Sequence, residues 1–232
     1  MCGMWVRLMS QLKKKLALSY LGLRRTVGII GMALPFALMI GGTIFCGHFS
    51  TEHSISFYYH TCMRDLFVGS MCAVGLFMCF YYDNTWKDQA MGICAGVGAF
   101  GVAVFPTTFD HDNPVWQGTA HNISAGVFFG SLIILSALLF PHKRKEGDSS
   151  QFKKDYRRLR NIIYWICAGI MTISVLCLLI YEADDNHDVH ILFWCETIAL
   201  FFFGISWIVK GDFLIGDVYE DHEEDEEEQY RM

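Results

Sequence analysis

The sequence predicts an all-α fold, a polytopic membrane helix bundle with six transmembrane helices and both termini in the cytoplasm. Composition is the first reason: 53% of the 232 residues are hydrophobic and only four are Pro, as is typical of chains that have lipid as their solvent. Length is the second, because six apolar stretches each reach the roughly 20 residues that a membrane-spanning helix needs. They are Thr26–Gly47, Cys62–Tyr82, Gln89–Phe109, Ala120–Phe140, Asn161–Tyr181 and His190–Val209.

The distribution of Lys and Arg sets the predicted orientation. Of the 18 such residues, all except Arg64 lie before the first stretch, between the second and third, between the fourth and fifth, or after the sixth. The other connections, residues 48–61, 110–119 and 182–189, contain no Lys or Arg. Because basic residues accumulate on the cytoplasmic side of membrane proteins, these three connections are predicted to face outward.

Three segments follow from this pattern. Residues 1–25 are predicted to form a basic amphipathic cytoplasmic segment, because apolar residues recur there at helical spacing among Lys and Arg. Residues 26–210 are predicted to form the six-helix transmembrane domain. Residues 211–232 are predicted to form an acidic disordered cytoplasmic tail, since a run of carboxylates repels itself and buries little apolar surface.

Small residues predict which helices pack closely. Gly92 and Gly96 in the third stretch form a GxxxG pattern, and so do Gly126 and Gly130 in the fourth. Such patterns let helix backbones approach one another in a membrane. Both stretches are therefore predicted to lie centrally in the bundle.

The nine Cys residues are interpreted mainly as packing residues. Six of them lie in the interior of the apolar stretches, away from their ends, where a thiol behaves as a small apolar group. Cys46 and Cys62 differ, because they bracket an outward connection and are placed to meet. A disulfide between them is an alternative, and packing is the favoured interpretation.

Polar side chains gather at the predicted outer ends of the helices. Seven of the nine His residues lie there: His48, His53, His60, His111, His121, His187 and His190. Ionisable groups within a membrane are costly and usually face a partner or a wet cavity, so they are candidates for function. The residues predicted to bind a ligand are Arg64, Asp65, His121, Asn122, Glu196, Tyr58 and Tyr59.

Arg64 and Asp65 carry the predicted chemistry. Arg64 is expected to hold an anionic group, while Asp65 and Glu196 balance its charge and accept protons. Asp65, Gly69 and Ala73 recur every four residues, so the carboxylate is predicted to share a small-residue stripe that faces another helix. The alternative is an ion pair of Arg64 with Asp65 or Glu196 that only fixes helix register.

A zinc site is a further hypothesis. Imidazoles and carboxylates from different helices suit zinc, and the candidates are His60, Asp110, His111 and His121. No HExxH, HxxxH or CxxC spacing is present, so a hydrogen-bonded or interfacial role is favoured for each His. Topology already explains the basic connection 142–160, and the glycines lie in apolar stretches. No nucleic-acid partner and, zinc apart, no cofactor is therefore predicted.

Five stretches are distinctive as motifs: Ser54–Tyr59 (SISFYY), Met63–Gly69 (MRDLFVG), Val102–Thr107 (VAVFPT), His121–Ala125 (HNISA) and Phe193–Trp207, which includes FWCETIA. Together they resemble a family of uncharacterised bacterial inner-membrane proteins. The resemblance covers nearly all of the membrane domain and implies a six-helix body. It brings no established activity or site residues.

Two looser resemblances add alternatives. The candidate Ser, Asp and His residues are similar to those of the CREST superfamily of membrane hydrolases, in which intramembrane Ser, Asp and three His hold zinc. This chain lacks the paired HxxxH on a late helix and a seventh span, so the resemblance identifies no zinc ligands. The run Glu220–Glu228 resembles the glutamate blocks near the carboxyl termini of some type IV secreted effectors.

The function predicted from the sequence is that of a multi-pass membrane protein with an outward-facing polar pocket. The pocket is expected to bind a small or lipid-derived ligand for transport or sensing, in a chain whose surroundings are the lipid bilayer of a bacterial inner membrane. One alternative is a metal-dependent membrane lipid hydrolase. The others are a structural membrane subunit and a secreted effector inserted in a host membrane.

Overall fold

Within the residues that a computed structural model describes, the chain forms six α-helices, which agrees with the predicted all-α fold. They are α1 (Cys2–Cys46), α2 (Arg64–Cys79), α3 (Trp86–Val104), α4 (Val115–Ile134), α5 (Gln151–Glu182) and α6 (Ile191–Arg231). A short 3₁₀ helix, Ser56–His60, precedes α2, and a π-helical turn, Leu135–Leu139, extends α4. The structure describes the backbone of residues 2–47, 51–81, 85–108, 114–141, 151–182 and 190–231, and the side chains of 22–47, 51–81, 85–108, 114–141, 158–181 and 190–211.

Within the described residues, four of the helices are long and apolar enough to cross a membrane. The qualifying segments are Gly22–Cys46, Val115–Leu139, Arg158–Tyr181 and Ile191–Gly211. The remaining two are α2 and α3, with 16 and 19 residues. At 1.5 Å per residue, α2 spans about 24 Å, which is less than the roughly 30 Å thickness of a hydrocarbon core. The chain is thus all-α with membrane-type helices.

The helices neighbour one another in chain order, and the last returns to the first. The largest interfaces join α1 to α6, α3 to α4, α2 to α3 and α5 to α6. Smaller ones join α1 to α2, and α4 with its π turn to α5. This arrangement brings the beginning of α6 beside the chain that leaves α1, which positions the segment described below.

Glycines mark the closest helix approaches. A Cβ added at Gly92 would lie 2.8 Å from the carbonyl oxygen of Met78, and one at Gly96 would lie 2.7 Å from that of Gly75. The predicted close packing of the third stretch is therefore confirmed, with α2 as its partner. On the other face of α3, a Cβ at Gly98 would come within 2.6 Å of the Phe128 backbone nitrogen in α4.

The prediction for the glycines of the fourth stretch is wrong. A Cβ at Gly126 or Gly130 would meet nothing within 4 Å. The reason is rotational: α4 approaches α3 through Ser124 and Phe128, and its buried face continues through Leu132. A GxxxG pattern creates a surface for close approach, but the other side of this helix is the one that is used.

The predicted terminal segments are continuous with the first and the last helix. The helix α1 contains the basic residues of segment 1–25 and continues through the first apolar stretch as far as Cys46. Pro35 lies inside this helix. The backbone of α6 is helical through the acidic residues as far as Arg231. Glu and Lys are good helix formers, so charge alone does not end either helix. The division into segments 1–25, 26–210 and 211–232 stays a prediction.

Candidate functional site

Residues 51–63 form a cap across one end of the bundle, here called the cap end. Hydrogen bonds from the backbone of the cap attach it to α6. The Phe193 N–H donates to the His53 carbonyl at 3.1 Å, and the Ile55 N–H donates to Glu196 Oε2 at 2.5 Å. At the margin, Thr51 Oγ1 lies 2.7 Å from His190 Nδ1. These bonds fix the cap's path over the beginning of α6.

A disulfide joins the cap to α1. Cys46, the last residue of α1, is bonded to Cys62, and their Cα atoms lie 6.0 Å apart. The packing interpretation of this pair is therefore wrong, because the cap folds back to bring the two thiols together. Among the residues whose side chains the structure describes, six further cysteines lie within the helices and are free, as the packing interpretation predicts: Cys72, Cys79, Cys94, Cys167, Cys177 and Cys195.

Arg64 lies at the edge of the cap with its side chain exposed. Its Nη2 donates to the Tyr59 hydroxyl at 2.8 Å, and its guanidinium carbon lies 4.4 Å from the centre of the Tyr59 ring. Stacking and hydrogen bonding together restrain the guanidinium group. Among the described residues, Tyr59 is the partner seen for Arg64. The alternative prediction is an ion pair of Arg64 with Asp65 or Glu196 that fixes helix register.

Asp65 does not face another helix, so the prediction for its small-residue stripe is wrong. Asp65 and Gly69 are exposed, and a Cβ at Gly69 would meet nothing within 4 Å. The buried face of α2 runs through Phe67 and Met71, about half a turn away from Asp65. Asp65 lies in the first turn of α2, where free backbone N–H groups stabilise a carboxylate.

Tyr58 of the cap and Glu196 of α6 lie on the interior side of the cap. Tyr58 is 2% exposed, and its ring centre lies 6.2 Å from that of Phe193. Burial raises the pKa of the Tyr58 phenol, a hydrogen bond with the Glu52 backbone lowers that pKa by a smaller amount, and the negative charge of Glu52 raises it by less still. Glu196 is half-buried and accepts the Ile55 N–H, so its position within the bundle is tied to the cap.

Two His residues bind the end of α3. His121, 3% exposed in α4, has its Nδ1 2.7 Å from the Phe105 carbonyl oxygen. His60, exposed on the cap, has its Nε2 2.9 Å from the Thr107 carbonyl oxygen. A carbonyl only accepts, so each of these nitrogens carries the proton. Asn122, next to His121, is exposed.

The zinc hypothesis is not tested by this geometry. Asp110 and His111 lie outside the described residues. Within the part of the chain that the structure describes, no three His, Cys, Asp or Glu side chains are close enough to hold a metal ion. The set His60, Asp110, His111 and His121 stays a prediction, and so does the ligand-binding set.

The opposite end, here called the basic end, contains residues that the sequence interpretation missed. Arg24, Arg160 and Lys210 are 3%, 2% and 2% exposed. Each lies within two residues of a predicted apolar stretch, so the sequence pattern identifies each only as a topology signal. Their burial depends on which way each helix faces, which charge counting does not register.

Comparison with known proteins identifies a family. Residues 29–203 match a family described as "Protein of unknown function (DUF998)". The match covers more than half of the chain, so the protein belongs to this family. No curated protein and no solved structure matches the chain. The predicted resemblance to a family of uncharacterised proteins is confirmed. The bacterial inner-membrane location and the likeness to the CREST superfamily stay predictions.

Proposed function

We propose that this member of a family of unknown function is a six-span bacterial inner-membrane protein whose outward cap binds an anionic small or lipid-derived ligand. Arg64 is the residue that holds the anion. Both termini lie in the cytoplasm, and α2 and α3 cross the membrane with the other four helices. In this proposal, the protein transports or senses the ligand that the cap binds.

Two independent features support this orientation. In the sequence, 17 of the 18 Lys and Arg residues lie in the terminal segments and connections that the positive-inside rule assigns to the cytoplasm, and Arg24, Arg160 and Lys210 of the basic end are among them. The disulfide between Cys46 and Cys62 lies at the opposite end. Disulfides form and persist in oxidising compartments such as the bacterial periplasm, and thiols stay reduced in the cytosol. Charge and redox chemistry therefore favour the same side for the cap.

The observation that carries the ligand proposal is the setting of Arg64. It is the one Lys or Arg on the cap side, and it is exposed while its guanidinium is held against the Tyr59 ring. Restraining a cation before binding lowers the entropy lost when an anion arrives. A planar guanidinium also matches carboxylate and phosphate oxygens in a bidentate geometry.

The other candidate residues take supporting roles in this proposal. Tyr58 and Glu196 hold the cap in place, and His121 holds the end of α3. Asp65 and Asn122 are exposed at the same end and supply polar contacts around the anion. Asp65 also limits the positive charge beside Arg64, which favours a ligand with a single negative charge.

The ligand test uses a matched pair of probes, octanoate and octanol, with the full-length protein in neutral detergent. Octanoate is expected to raise the unfolding temperature of the wild type, and octanol, which shares the chain and lacks the charge, is not. Arg64→Ala should weaken octanoate binding about tenfold or more, because a charge-assisted hydrogen bond contributes roughly 1.5–3 kcal/mol. Arg64→Lys should retain part of the affinity.

Lys87→Ala is the control, since Lys87 is an exposed cation at the basic end. It should bind octanoate as the wild type does. Equal binding by wild type and Arg64→Ala, or no binding by the wild type, contradicts the ligand proposal. Orientation is tested separately: alkaline phosphatase fused after residue 113 should be active, and the same enzyme fused after residue 146 should be inactive.

A further inference from the structure

Two cysteine thiols on neighbouring helices contact each other near the cap end of the bundle. Cys177 in α5 and Cys195 in α6 are both free, and a hydrogen bond joins their side chains. The sequence pattern identifies each of them only as a packing residue in the interior of an apolar stretch. Packing does not require a second sulfur beside the first, so the contact between the two thiols is an additional feature.

The order of α5 and α6 in the chain explains why the two sulfurs meet. Helix α5 ends at Glu182, α6 begins at Ile191, and the two helices share one of the larger interfaces of the bundle. Cys177 lies five residues before the end of α5, and Cys195 lies four residues after the start of α6. At 1.5 Å per residue, each cysteine is roughly 6–8 Å along its helix from the connection, so both lie at one level.

Both thiols are accessible to small reagents. The side chains of Cys177 and Cys195 are half-buried, whereas that of Cys167, also in α5, is 1% exposed. Reactive cysteines are partly exposed, and fully buried structural cysteines are inert. The pair therefore combines access from outside with a partner sulfur.

The same end of the bundle contains a disulfide. Cys46 and Cys62 are bonded where the cap meets α1. The cap also donates the Ile55 N–H to Glu196, which is the residue after Cys195. Disulfides persist in oxidising compartments and are rare where thiols are kept reduced. Conditions that keep the first pair of cysteines bonded therefore favour oxidation of the second pair at the same end.

We infer that Cys177 and Cys195 are a redox-active pair that forms a second disulfide by exchange with a disulfide oxidant. One thiolate of the pair attacks a sulfur of the oxidant, whose S–S bond breaks, and the oxidant's other sulfur leaves as a thiolate. The second thiolate of the pair then attacks the protein sulfur of this mixed disulfide. The Cys177–Cys195 bond forms, and the oxidant's remaining sulfur leaves as a thiolate. The pair gives up two electrons to the oxidant, and its two protons pass to the released thiolates.

The second disulfide joins α5 to α6 directly beneath the cap. Helix α6 holds the cap through Glu196, so the bond fixes the part of α6 on which the cap is attached. It closes a loop over a sequence separation of 18, which restricts the unfolded chain and stabilises the folded one. The inference depends neither on ligand binding at Arg64 nor on the orientation proposed above.

The test treats full-length protein, purified in neutral detergent without reductant, with glutathione disulfide. Remaining thiols are then blocked with N-ethylmaleimide, and unreduced peptides are analysed by mass spectrometry. A peptide that links Cys177 to Cys195 should appear in most chains, with the loss of two reactive thiols and with the Cys46–Cys62 link retained. The same link found before the treatment supports the inference equally.

Variants then assign the effect to the pair. Cys177→Ser should form no link, and Cys195 should hold glutathione because no second thiol is present to release it. Cys94→Ser is the matched control, since Cys94 is a half-buried free cysteine in α3, and it should form the link as the wild type does. The treatment should raise the unfolding temperature of the wild type and of Cys94→Ser by roughly 5 °C. It should leave that of Cys177→Ser unchanged.

Three results would overturn the inference. The first is a wild type in which Cys177 and Cys195 stay free, or carry one glutathione each in place of a link to each other. The second is the formation of links among the other helix cysteines as readily as between these two, since the contact would then select no pair. The third is a rise in unfolding temperature that Cys177→Ser shares.

Discussion

The two ends of the bundle are held together by different kinds of interaction. At the cap end, a disulfide and hydrogen bonds to backbone groups attach residues 51–63 to α1 and α6. At the basic end, cations lie against aromatic rings that pack on one another. A substitution can remove the disulfide or one hydrogen bond of the cap end at a time. At the basic end several positive charges are buried, and these charges must be balanced as a group.

The same residue type shows the difference. Arg64 at the cap end is exposed and contacts one ring, while Arg24 and Arg160 at the basic end are buried. An exposed guanidinium keeps its hydration and remains accessible to a ligand from solvent. A buried one has lost its hydration, so its surroundings must supply negative charge or dipoles. The presence of Arg in the sequence therefore does not tell an exposed position at the cap end from a buried position at the basic end.

Loss of the disulfide is expected to have the largest effect on the cap end. The bond closes a loop over a sequence separation of 16. The double variant Cys46→Ser, Cys62→Ser should lower the free energy of unfolding by about 3 kcal/mol, because the unfolded chain gains freedom. Chemical denaturation in detergent without reductant measures this.

Cys94→Ser is the matched control, since Cys94 is a free cysteine inside α3. Its stability should change by much less, and reductant should lower the stability of the wild type and leave that of the double variant unaltered. A double variant as stable as the wild type would mean that hydrogen bonds alone hold the cap, and the contrast between the ends would lose its covalent part.

Glu196 is expected to rank second. Glu196→Ala removes the acceptor of the Ile55 N–H, which should cost roughly 1–3 kcal/mol because a partly buried donor is left unpaired. Glu196→Gln keeps an acceptor oxygen at the same place and should cost less than half as much. Both values come from denaturation midpoints in detergent. If the Gln variant is the less stable of the two, the charge of Glu196 matters more than its hydrogen bond.

The two His residues at the end of α3 form a natural pair. His121→Leu keeps the volume of a buried side chain and removes the N–H bonded to the Phe105 carbonyl, so about 1 kcal/mol of stability should be lost. His60→Leu removes a similar bond from an exposed residue, where water replaces it, and should cost under roughly 0.5 kcal/mol. Equal losses would show that burial does not separate them.

The sequence predicts the helices well because apolar length is a local property. A stretch of about 20 apolar residues must satisfy its backbone within itself when lipid surrounds it, which selects a helix. The start of α1 at Cys2 is less predictable, since an amphipathic basic segment and a spanning helix continue one another without a break. Boundaries therefore depend on what the helix touches.

The packing faces are predicted only in part. Gly96 and Gly126 have equivalent patterns in sequence, yet Gly96 contacts α2 and Gly126 contacts nothing within 4 Å. Lipid and a neighbouring helix both accept a small residue, so spacing marks a face without saying what covers it. The stripe from Asp65 to Gly69 is misassigned for the same reason.

The disulfide and the burial of cations at the basic end depend on tertiary structure. Cys46 and Cys62 form a disulfide because the cap folds back on itself, and sequence separation does not specify that path. Arg24 and Lys210 flank apolar stretches as any topology signal does, and only helix rotation places them inside. Charge counting gives the side of the membrane, while burial requires the packed bundle.

A small effect is also expected from a hydrogen bond near the basic end. Ser136 in the π turn and Ser206 in α6 are buried, with their Oγ atoms 3.0 Å apart. Ser136→Ala should cost about 0.6 kcal/mol, the typical value between membrane helices, because Ser206 keeps its bond to the Phe203 carbonyl. Denaturation midpoints of this variant and of Ser206→Ala measure the bond. A loss as large as that of Glu196→Ala would mean that directional bonds hold both ends, and the contrast between them would then rest on buried charge alone.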